Sequence, residues 1–183
     1  MDKSKTLYVI STQTDTLISK IIKFYTKAPF SHISLSLDEA LENMYSFGRK
    51  HPPFALPSGF VHENIQTGLF GMLDYVPCQI YRLAVTDEQY EKVKNLVSSF
   101  IKIADEYKFN VIGFAPMAFN KKYQREKHFM CSQFVAFVLS KCGIMQFDKD
   151  YSLVRPDDIR TRQELALIYE GNLKQYSKEK VHA

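Results

Sequence analysis

The chain carries three cysteines and five histidines among its 183 residues, the side chains best suited to a nucleophile and a general base. Cys131 opens the most strongly helical stretch of the sequence, HFMCSQFVAFVLSKCGI. A thiolate at a helix N-terminus is favoured by unpaired backbone N–H groups and by the macrodipole, which makes a cysteine there a usable nucleophile near neutral pH. The competing reading is a core residue, because positions 131, 134, 135, 138, 139 and 142 form one apolar stripe of that helix. Cys142 lies at the opposite helix end, where the dipole disfavours a thiolate, and Cys78 opens a strand; both read as core. His32 sits on the polar face of an alternating segment, SHISLSLD, and the ordinary pKa of histidine suits a general base. His51 and His62 lie in or beside a proline-rich loop and read as surface residues. His128, three residues before Cys131, is an alternative base on a less rigid loop. A Cys–His pair needs a third polar group to orient the imidazole. Hairpin pairing is expected to place Tyr45 or Ser46 opposite His32, with Glu63 arriving from the following segment.

Other chemistries find no foothold. There is no GxSxG, GxxxxGK[ST], GxGxxG or HExxH, and the acidic residues are scattered mainly on helix faces. An odd cysteine count without CxxC spacing gives neither a disulfide framework nor a zinc signature, so no cofactor and no metal are expected. The net charge of +4 is too small to imply nucleic acid, and the basic stretch Lys121 to His128 reads as a solvated loop. Hydrophobic residues at 45% and charged residues at 24% are ordinary globular values, and the length suits one domain over 1–183. No apolar run approaches the ~20 residues of a spanning helix, and no signal-like segment opens the chain. The expectation is a soluble, cytoplasmic protein.

The elements that must position these residues follow from periodicity. Thr6 to Thr12 is a short β-rich run. Asp15 or Thr16 can cap a helix through LISKIIKFYTK, ended by Pro29. Ser31 to Asp38 alternates as a half-buried strand, and NMYSFGR looks like its hairpin partner. His51 to Phe60, with three prolines and a glycine, is a loop, and FVHENI is a short strand. Pro77 to Val85 is a strand, followed by a helix capped at Thr86 or Asp87. NVIGFAPMAF reads as a brief helix or a lining loop, VRPDDIRT as a turn into one helical turn, and QELALIYEGNLKQY as a strand pair or a helix, its Tyr-Glu-Gly-Asn turn favouring strands. Runs of adjacent strands beside separate helices indicate an α+β fold, with a mostly antiparallel sheet packed against helices.

Taken together, LISKIIKFYTKAPFSHISLSLDEALENMYSFGRK, FMCSQFVAFVLSKCGI and YSLVRPDDI resemble the circularly permuted branch of the NlpC-type, papain-like thiol hydrolases. That group includes bacterial YiiX-like proteins and the lecithin:retinol acyltransferase group. The likeness runs from about Thr16 to Ile159, with a poorly matched middle from roughly Lys50 to Lys127. In the permuted order the histidine strand precedes the cysteine helix, as His32 precedes Cys131. The resemblance implies a permuted papain-like fold with Cys131 as nucleophile and His32 as base. It also implies an amide- or ester-containing substrate of small-molecule, peptide or lipid-like kind, used in amidase, peptidase or acyltransferase chemistry. The third residue of such sites is a polar group on the strand after the histidine, often His, Asn, Gln or Glu; the matching stretch MYSFG offers Tyr45 or Ser46 instead. Phe109, Phe114, Phe119 and Phe129 suit either an apolar groove or the core. A non-catalytic binding module on the same fold, with an incomplete triad, is the alternative.

Overall fold

The computed structural model describes residues 5–14, 29–51, 54 and 56–176. The helix expected over residues 16–27 lies outside the described residues. In chain order the strands and helices are β1 Lys5–Thr12, β2 His32–Ser36, β3 Met44–Arg49, β4 Ser58–Glu63, α1 Gly68–Met72, β5 Pro77–Val85, α2 Asp87–Lys102, β6 Lys108–Phe109, α3 Phe114–Ala118, β7 His128–Phe129, α4 Cys131–Lys141, α5 Pro156–Arg160 and β8 Leu165–Asn172. Six strands form one antiparallel sheet in the order β4-β3-β2-β1-β5-β8. The α+β class expected from the sequence is the one observed. Among the described residues no helix is long and apolar enough to cross a membrane.

Strand alternation sorts side chains to the two faces of the sheet. Leu7 and Val9 of β1, Ile33 and Leu35 of β2 and Tyr45 and Phe47 of β3 join one core, with α2 and α4 packed on it. Tyr8 and Ile10, Met44, Cys78 and Ile80 join a second core together with Phe70 and Leu173. The middle of the sheet is therefore covered on both sides. This changes the expected half-buried β2: Ser34 and Ser36 on its polar face are buried too. Ser36 is satisfied by donating to the Asp38 carbonyl at 2.9 Å.

The two main helices begin as their sequences require. Thr86 caps α2: its hydroxyl accepts from the Gln89 N–H at 3.1 Å, and its own N–H donates to Gln89 Oε1 at 3.0 Å. At the start of α4, the Met130 N–H donates to Gln133 Oε1 at 2.9 Å, and Gln133 Nε2 donates to the Ser152 carbonyl at 2.7 Å. Ser132 Oγ donates to the Val154 carbonyl at 2.7 Å. Gly143, with φ +68°, ends the helix in the left-handed conformation that glycine adopts without penalty. Residues 131, 134, 135, 138, 139 and 142 are all buried, as their spacing predicts.

The loop expected to run to Phe60 ends earlier, since β4 begins at Ser58. LALIYEGN is one continuous strand against β5, with a register shift at Ile80/Tyr81, rather than a strand pair. Its Tyr-Glu-Gly-Asn does not turn, because pairing with β5 continues through Pro77↔Asn172. NVIGFAPMAF combines a 3₁₀ turn over Val111–Gly113 with α3. The two-residue strands β6 and β7 pair in parallel, too short to leave a periodic signal.

The main core is dominated by rings around Phe47, which is fully buried. Phe60, Phe100, Tyr107, Phe129 and Phe134 all lie with ring centroids 5.3 to 6.4 Å from it. Phe47 thereby joins β3 to β4, α2 and α4. Replacing Phe47 by Ala removes the shared neighbour and leaves a cavity, so it is expected to lower unfolding stability in urea by about 3–5 kcal/mol. Leu167→Ala, at a position 50% exposed, is expected to change it by no more than about 0.5 kcal/mol. Equal effects from the two substitutions would contradict this placement of the core.

Candidate active site

His32 is the first residue of β2 and pairs with Thr12 of β1. Its Nε2 is 2.9 Å from Glu63 Oε1, with the two side chains only 16% and 13% exposed. Ser34 Oγ donates to Glu63 Oε2 at 2.5 Å and lies 3.2 Å from His32 Nε2. An ionised carboxylate only accepts hydrogen bonds, so Nε2 carries the proton. That leaves Nδ1 as the nitrogen available to another group. The Cys131 side chain is near enough to act on His32, favouring its charged form. The imidazole singled out in the sequence is thus paired with Glu63, one of the carboxyl and hydroxyl groups weighed for it, and lies within reach of the Cys131 side chain.

Glu63 reaches His32 by crossing β3, which offers it little obstruction. The β2–β3 register places Leu35 opposite Tyr45 and Ser36 opposite Met44. Continuing it puts Ser46 beside Ser34 and Gly48 beside His32. Glu63 itself pairs with Met44. Its side chain extends over small residues to the imidazole. A Cβ built on Gly48 would lie 3.7 Å from His32 Cε1 and 3.8 Å from Glu63 Oε1, so a longer side chain there would enter the same space.

Electrostatics at His32 has two opposed parts. Burial works against the charged imidazolium, and the Glu63 carboxylate, its hydrogen bond and the Cys131 side chain work for it. The balance pushes His32 up from 6.5 to about 10. Cys78, by contrast, is a buried thiol pushed up to about 12 by desolvation, and burial raises Cys142 as well.

The expected third residues take other positions. Tyr45 pairs with Leu35 rather than with His32, and its ring stacks on Phe60 and His62 at 6.1 and 5.0 Å. The register is shifted from the one that would set Tyr45 beside the histidine, and its side chain belongs to the main core. Ser46 Oγ donates to the Ile33 carbonyl at 2.7 Å. Of the three residues weighed, Glu63 makes the contact. His62 has Nε2 3.1 Å from the Glu42 carbonyl, and His128, in β7 instead of a loop, has Nδ1 2.7 Å from the Glu126 carbonyl. Phe109 and Phe129 are buried in the core, whereas Phe119 is 77% exposed.

A cavity of ≈ 340 Å³ opens beside the His32–Glu63 pair, with His32, Gly48, Glu63, Arg49, Phe60 and Phe109 among its walls. Glu63 was one of three candidates in the sequence, whereas Arg49 belongs to no motif and was not separable from other polar residues. Among the described residues, no group of three or more His, Cys, Asp or Glu side chains is placed to hold a metal ion.

No protein-family model matches the chain, and no curated protein matches it. Among solved structures, it is similar to the metalloprotein YiiX from Escherichia coli, at 15% sequence identity and a TM-score of 0.50. The match covers 92% of this chain and 98% of that one. It is a likeness of fold, and the donor set described here does not fit a resident metal, so no step below passes through one. The chain shares the α+β architecture of a YiiX-like protein, a six-stranded antiparallel sheet packed against helices.

Proposed function

We propose that the chain is a thiol hydrolase or acyltransferase on a permuted papain-like fold, with Cys131 as nucleophile, His32 as general base and acid, and Glu63 as the residue that orients His32. The observation carrying this reading is the buried pair of His32 Nε2 with the Glu63 carboxylate, on which the Cys131 side chain also acts. The YiiX-like fold supports it, as does the order of histidine strand before cysteine helix.

The thiol proton passes to His32 Nδ1. An imidazole with this proton affinity holds that proton on the ring, paired with Glu63. The sulfur adds to an amide, ester or thioester carbonyl, and the oxygen takes up negative charge. The Cys131 N–H, at the first turn of α4, is the donor best placed by chain position to meet it. The tetrahedral adduct collapses, the carbon–heteroatom bond breaks, and His32 returns its proton to the leaving amine, alcohol or thiol. Water or another acceptor then gives up a proton to His32 and attacks the acyl-enzyme, releasing product and the thiol.

Three measurements test the assignment. The His32 ring, followed by NMR, is expected to titrate near 10. In Glu63→Gln the opposing burial is left without the carboxylate, so the titration is expected to fall by more than about one pH unit. The linked stability has a definite sign. Because the folded value lies above 6.5, stabilisation by the charged ring is complete below 6.5 and is lost as pH rises through about 10. Urea unfolding between those limits should show a decline that Glu63→Gln removes. An unaltered His32 titration in the variant would exclude the orienting role. Separately, incubation with a generic acyl thioester should add one acyl mass to the protein. Cys131→Ser should abolish the adduct, His32→Ala should slow its formation by about a hundredfold or more, and Tyr45→Phe should leave it unchanged. A protein that binds the thioester without forming the adduct would be a binding module instead.

A further inference from the structure

The cavity beside His32 is lined by a cation, Arg49, that no side chain among the described residues pairs. Arg49 ends β3, pairs with Ser58 of β4 and is half-buried. It lines the same cavity as His32, Gly48 and Glu63. The other cation-forming groups in that wall are occupied. Lys50 Nζ donates to Asp105 at 2.9 Å and to the Ala104 carbonyl at 3.1 Å. His32 is paired with Glu63, and His62 lies against the Glu42 carbonyl. The two carboxylates of the wall are taken as well, Glu63 by His32 and Ser34 and Asp105 by Lys50. Among the described residues, the Arg49 side chain has no hydrogen bond, ion pair or ring contact.

A guanidinium partly removed from water without a counter-charge is costly. Its desolvation lowers the Arg49 pKa from its ordinary value, with no carboxylate acting in the other direction. A planar fork of donors facing a cavity is matched by a planar or tetrahedral oxyanion, which accepts two parallel N–H bonds.

We propose that Arg49 anchors an oxyanion, a carboxylate or phosphate group, on a molecule that occupies the cavity beside His32. The anchor is a binding site and stands independently of the thiol-hydrolase reading. Its consequence is selectivity: neutral compounds of the same size bind less tightly than anionic ones. The apolar walls Phe60 and Phe109 receive the uncharged part of the molecule.

The test separates binding from turnover by using Cys131→Ala protein and three small probes: benzoate, phenyl phosphate and neutral benzyl alcohol. Affinities are measured by NMR titration, observing the His32 ring. At least one anion is expected to bind about tenfold or more tightly than benzyl alcohol, the span of roughly one charge-assisted contact. Benzoate and phenyl phosphate distinguish a carboxylate from a phosphate source. Arg49→Gln should abolish the preference and Arg49→Lys should retain part of it, while Lys121→Gln, an exposed cation outside the cavity wall, should leave it intact. Equal affinities for neutral and anionic probes, no anion binding below about 10 mM, or an unchanged anion affinity in folded Arg49→Gln would each overturn the proposal. An Arg49-dependent preference in a protein that never forms an acyl adduct would retain the anchor and refute the hydrolase reading.

Discussion

A carboxylate taken out of water needs a positive partner within hydrogen-bond reach, and Glu63 finds it in His32 at 2.9 Å. Much of the neighbouring sheet is shaped by that requirement. Ser34 satisfies the second carboxylate oxygen. Ser46 turns its hydroxyl to the Ile33 carbonyl, and Gly48 has no side chain to intrude. Three adjacent small residues on two strands thus clear a path for one long side chain from a third. Either charge left alone at this depth would be strongly unfavourable, so the pair specifies how β2, β3 and β4 lie against one another.

The thiol arrives from an independent direction. Cys131 begins a helix that is buried over most of its circumference, and Gln133 ties that helix start to the segment around Ser152. The strand therefore supplies the imidazole and the helix supplies the sulfur, each held by its own hydrogen bonds. Phe47 packs between the two layers and against rings from α2, α4 and β4. The site is supported by core packing at the place where the aromatic density is greatest, which gives the polar groups little freedom to drift.

His32 and Cys131 could be singled out beforehand because each sits in a segment with a strong period. β2 alternates over five residues, and α4 repeats its apolar stripe over three turns. The capping pair Thr86 and Gln89 and the stop at Gly143 were equally visible, since their signals are local. Glu63 was visible only as one of three options. Choosing it required the register of two hairpins, and register depends on how the intervening turns close rather than on residue type. Tyr45 lost its expected position for that reason alone. The β6–β7 pair, two residues long on each side, had no periodicity to read, and the long β8 followed its partner β5 through a sequence that resembles a turn.

The hairpin of β3 and β4 closes where the Lys50 N–H donates to the Pro57 carbonyl at 3.0 Å. Surface connections of this kind ordinarily accept insertions and deletions with little consequence. Here the connection also acts as a ruler. A change in its length that slipped β4 by one residue would send Glu63 to the opposite face of the sheet and bring His62 or Asn64 to its place. The number of residues between Arg49 and Ser58 is thereby linked to the charge state of a histidine two strands away. The connection thereby becomes part of what defines the imidazole, and variation in its length is a chemical change as much as a structural one.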